Sequence, residues 1–64
     1  MSNADIELCF KMIDLETAKY EKFKNDGGYL LVNNVLHARR GMQQMLAALL
    51  GQPVEKLEEI RKLI

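Results

Sequence analysis

A chain of 64 residues has room for one domain, and a chain this short buries only about 60% of the surface its unfolded form exposes. Nine basic and nine acidic residues give zero net charge, which argues against a protein whose main task is gripping phosphate backbones and leaves little repulsion to oppose self-association. The single cysteine excludes an internal disulfide, no His/Cys cluster supports a metal, and no apolar run reaches the ~18 residues that suggest a membrane span.

Ser2 is placed to cap a first helix, with Asp5 three residues on completing a loose capping box. Asp5 and Glu7 fall in the first turn and Lys22 and Lys24 in the last, both favourable to the helix dipole. The pattern predicts a helix over 3–24. Ile6, Cys9, Phe10, Ile13 and Tyr20 form its main apolar face, and Leu8, Met12, Leu15 and Phe23 form a second, adjacent one. A helix apolar over more than half its circumference is expected to touch two or more neighbours.

Asn25, Asp26, Gly27 and Gly28 make the clearest break in the chain. Gly27 suits the left-handed residue that ends a helix, and a four-residue connection favours antiparallel packing of the flanking helices. A second helix follows over 29–50. Leu31, Val35, Ala38, Met42, Met45 and Leu49 recur at alternating spacings of four and three, and this stripe reads as the face around which the rest is arranged. Gly41 lies inside the helix and costs about 1 kcal/mol relative to alanine. Together with Ala38, Ala47 and Ala48 it predicts close approach of another helix.

Gly51, Gln52 and Pro53 form the second corner, with Pro53 suited to the first turn of a third helix over 53–64. Val54, Leu57, Ile60 and Ile64 give that helix an apolar edge. It is too short to persist without packing on something. Residues Met45 to Leu57 resemble the helix–Gly–helix corner found late in repressor-type helix-turn-helix domains. The resemblance implies a helical corner there and no more. The recognition unit that precedes the corner in that family is missing, and a long helix stands in its place.

The expected fold is all-α: one domain over 1–64, a long antiparallel helical hairpin plus a short C-terminal helix. A short third helix cannot cover one whole face of a hairpin about 30 Å long. The uncovered surface is expected to include Leu8, Met12, Leu15, Val32 and Leu50, and to pair two hairpins into a dimeric four-helix bundle.

Asn33, His37, Arg40 and Gln44 lie along one line of the second helix, with Arg39 beside it, and no acidic residue occurs between Asp26 and Glu55. These side chains are of the types that pair with base edges and phosphates. Tyr29, Leu30 and Leu36 form a candidate apolar contact for a protein partner. His37 has no second histidine to share a metal or a proton with, and Cys9 among Ile6, Phe10 and Ile13 reads as an inert buried thiol. No pair of groups for acid–base or nucleophilic chemistry is apparent.

The expected function is therefore non-enzymatic, without cofactor or metal: a homodimeric module that binds another protein as adaptor, regulator or inhibitor. The alternative is a small RNA- or DNA-binding regulator using the Asn33, His37, Arg40, Gln44 line. The N-terminus lacks a basic region followed by an apolar core, so a cytoplasmic location is expected.

Overall fold

A computed structural model describes residues 2–64, all of its regular structure helical. Helix α1 spans Asn3–Asn25 and α2 spans Tyr29–Leu50, and they pack against each other as a hairpin. A single 3-10 turn, Val54–Lys56, leads into the short helix α3, Leu57–Lys62. The molecule measures 37 × 17 × 16 Å, so its long axis is essentially the length of α1.

The helix ends form where local chemistry requires. The Ser2 hydroxyl accepts from the Asp5 N–H at 3.2 Å while the Ser2 N–H donates to the Asp5 carboxylate at 3.3 Å, a complete capping box. Helix α1 runs one residue past its expected end. Gly27 then turns left-handed at φ 76°, and the Gly28 N–H returns to the Phe23 carbonyl at 2.9 Å. The same device ends α2: Gly51 sits at φ 65°, and the Gln52 N–H reaches the Ala47 carbonyl at 3.0 Å.

The third helix departs from expectation. Pro53 lies outside it, with an extended backbone at ψ 154°, so the chain winds only from Val54 and does so first as a 3-10 turn. The α-helical part is six residues long. It adds Leu57 to the core.

That core occupies the end of the hairpin away from the α1–α2 turn. Ile6, Phe10 and Ile13 of α1 meet Leu46 and Ala47 of α2 and Leu57 of α3, with Cys9, Met42, Leu50 and Ile60 packed around them. Early α1 thus meets late α2, the order of an antiparallel pair. Leu46 is the most enclosed side chain, at 2% exposure.

Helix α2 is rolled relative to the stripe expected to face inward. Val35 is buried and Met42 half-buried, but Leu31, Ala38, Met45 and Leu49 are exposed. Leu46 and Ala47, outside that stripe, take the central places. No helix within the chain approaches Gly41 either. A Cβ there would meet nothing within 4 Å, and of the four small residues in this half of α2 only Ala47 is buried.

Two polar ties bind the frame. Arg61 of α3 clasps Asp14 of α1 with both terminal nitrogens and lies over the Phe10 ring, 5.3 Å from its centre. The Arg39 Nε donates to the Thr17 Oγ1 at 2.8 Å between the long helices, and Thr17 in turn donates to the Ile13 carbonyl. Glu16 is buried against the hairpin with Lys19 as its partner at 3.2 Å.

No helix among the described residues is long and apolar enough to cross a membrane.

Candidate functional site

The surfaces that remain available follow from where α3 lies. It takes the side of the hairpin bearing Phe10 and Asp14. On the other side a shallow groove of about 120 Å³ runs between the long helices, lined by Cys9 and Met12 of α1 and by Met42, Met45, Leu46 and Leu49 of α2. Every lining side chain is apolar or a thiol. Three of the six are methionine, whose unbranched, polarisable side chain conforms to varied shapes. Met45 and Leu49 stand 68% and 62% exposed, although neither has a charged neighbour along its own line of the helix.

Of the residues expected at a dimer interface, Leu8, Met12 and Leu15 are exposed on α1. Val32 is half-buried, and Leu50 packs against the core. The roll of α2 that exposes Met45 and Leu49 is the same one that carries Leu50 inward. Cys9 is half-buried in the groove wall instead of enclosed in the core.

The polar line on α2 is laid out as its spacing implies. Asn33, His37, Arg40 and Gln44 are all exposed. Arg39 is half-buried, and its Nε donates to Thr17. A broad cleft of about 490 Å³ is lined by Leu36, Arg39, Arg40 and Gln44 of α2 and by Val54 and Glu55 beyond the corner. Residues between Asp26 and Glu55 contain no acid, but the corner after α2 brings Glu55 to the same cleft as the arginines. Glu21 of α1 lines the adjoining cleft with Arg39 and Leu36. The face is therefore of mixed charge, which sequence order alone conceals.

Tyr29 and Leu30, at the start of α2, are 80% and 82% exposed, beyond the reach of the core at the far end. Leu36 is exposed at the edge of both clefts. His37 is exposed, and among the described residues no three His, Cys, Asp or Glu side chains converge as a metal would require.

Sequence reasoning missed the fork between Asp14 and Arg61, which are 47 residues apart. The hydrogen bonds from Arg61 hold the Asp14 carboxyl below the usual carboxylate value; the charges of Arg61 and Arg39 act in the same direction, against the opposing effect of desolvation. This pair ties α3 to α1.

Compared with known proteins, the chain matches no family model, no curated protein and no solved structure.

Proposed function

We propose that the chain is a small non-enzymatic protein-interaction module, an adaptor, regulator or inhibitor, that acts as a helical homodimer. The observation that carries this reading is the groove of Cys9, Met12, Met42, Met45, Leu46 and Leu49, open on the side of the hairpin that α3 leaves bare. Leu8, Leu15 and Leu31 are exposed as well. Contiguous apolar surface of this kind on a small protein marks a contact with another macromolecule. A cytoplasmic location is part of the proposal, supported by the unpaired Cys9, which a reducing compartment keeps as a thiol.

A second reading, a small RNA- or DNA-binding regulator, is favoured by the exposure of Asn33, His37, Arg40 and Gln44 along one line. The tie between Arg39 and Thr17 and the return of Glu55 weigh against it.

Capture of partners by the tagged chain from its native host, at low and high salt, tests the two readings together. Mass spectrometry is expected to identify a protein whose recovery survives high salt. Recovery of nucleic acid that falls steeply with salt, and further on Arg40→Ala, would transfer the function to the second reading.

A further inference from the structure

Along the outer side of α2, Leu31, Asn34, Ala38, Gly41, Met45 and Ala48 follow one another at spacings of three and four. That is the seven-residue repeat through which two helices pack along a common seam. All six residues are exposed and none is charged. The seam borders the methionine-lined groove, which it shares through Met45.

Gly41 lacks any role within the single chain. Its backbone is not left-handed, and a Cβ there would touch nothing within 4 Å. Glycine in mid-helix weakens the helix, and a second helix lying close against that point supplies a reason for it.

Surface area indicates how much is left to cover. The chain exposes 4870 Å², whereas a folded monomer of this length exposes about 4,200 Å². The surplus, roughly 650 Å², belongs to the molecule as a whole and is of the order of the ~800 Å² that each partner contributes to an interface of standard size.

We infer that a second copy of this chain covers the seam, α2 lying antiparallel on α2 about a two-fold axis level with Ala38 and Gly41. This rests on the homodimer reading above and specifies its interface. Antiparallel order sets Leu31 opposite the copy's Ala48, Met45 opposite the copy's Asn34, and Ala38 opposite the copy's Gly41. Each layer then joins a larger side chain to a smaller one, as close packing requires. Parallel order would stack Leu31 on itself and Gly41 on itself, alternating crowding with voids. A two-fold contact must be complementary to its own reverse, and this line of residues is. A foreign helix would impose no such condition.

Sedimentation equilibrium of the full chain at micromolar concentration, beside Gly41→Leu and Leu15→Glu, tests the inference. Circular dichroism confirms that each variant is helical. The wild type is expected to be a dimer. Gly41→Leu, which has open space in the single chain, is expected to weaken dimerisation roughly tenfold or more through an overpacked seam. Leu15→Glu, exposed on α1 away from the seam, is expected to leave the dimer intact.

A monomeric wild type would overturn both the seam and the homodimer reading. A dimer indifferent to Gly41→Leu but broken by Leu15→Glu would overturn the seam alone. If Gly41→Leu fails to fold, cross-linking decides in a Cys9→Ser background. Leu31→Cys with Ala48→Cys should form a disulfide between chains, since the two positions lie about 25 Å apart along one helix. Efficient self-linking of Leu31→Cys alone would mean parallel order and contradict the inference.

Discussion

Arg61 on the last helix clasps Asp14 on the first, its Nη1 donating to Oδ1 at 2.8 Å and its Nη2 donating to Oδ2. This fork is the only hydrogen-bonded ion pair among the described residues that joins two different helices, and α3 is only six residues long. Asp14 has its folded-state pKa lowered, so its contribution to stability is present above the unfolded carboxylate pKa of about 3.9 and is lost as pH falls through the folded value. Acidification from about pH 4 downward should therefore loosen α3, modestly because the pair is exposed to solvent. Hydrogen exchange should show the Leu57–Lys62 amides losing protection in that range, and Asp14→Asn should show the same loss near neutral pH. Unchanged protection in the variant would mean that apolar contacts alone hold α3.

Leu57 is the apolar counterpart of that tie. It is 4% exposed and completes the cluster of Ile6, Phe10, Ile13, Leu46 and Ala47. Leu57→Ala should cost about 2–5 kcal/mol. A single core in a chain this short supplies only ~3–5 kcal/mol, so the variant should be largely unfolded in urea concentrations that the wild type tolerates. Urea titration followed by circular dichroism measures the difference.

Two glycines of α2 and its end should respond oppositely to alanine. Gly51 holds φ 65°, where an L side chain is strained, and Gly51→Ala should cost roughly 1–2 kcal/mol. Gly41 is helical with open space around it, and Gly41→Ala should stabilise the chain in dilute solution by about 1 kcal/mol. Thermal unfolding of the two variants at equal low concentration compares them.

Adjacent arginines have different work. Arg39→Ala removes the hydrogen bond to Thr17 and should destabilise the hairpin by about 1 kcal/mol. Arg40→Ala, exposed on the polar line, should leave stability unchanged. Equal melting temperatures for both variants would show that the Arg39–Thr17 contact does not support the fold.

Local chemistry made much of this fold legible in the sequence. The Ser2–Asp5 box, Gly27 and Gly51 act within a few residues of themselves, and both long helices begin and end as those signals predict, to within one residue. What stayed hidden depends on distance. Helix α2 is apolar on more than one side, so periodicity offers several faces and does not choose among them. The choice of Leu46 and Ala47 over Met45 and Leu49 is made by α1 and α3. The stripe that looks most like a core is the one left partly outside. Likewise Glu55 is remote from Arg40 in sequence and lines the same cleft in space, and the corner at Gly51 brings them together. Pro53 marks the corner correctly, but its extended backbone delays the helix that follows.

The outer side of α2 is either covered by a second copy in solution or bare. Met45, 68% exposed in the single chain, reports on this through its rate of oxidation by dilute peroxide, read by mass spectrometry across protein concentrations. The rate is predicted to fall as concentration rises into the micromolar range, because the copy's α2 shields the thioether. A fast rate that does not change with concentration would mean that this face meets only water, and would contradict the account.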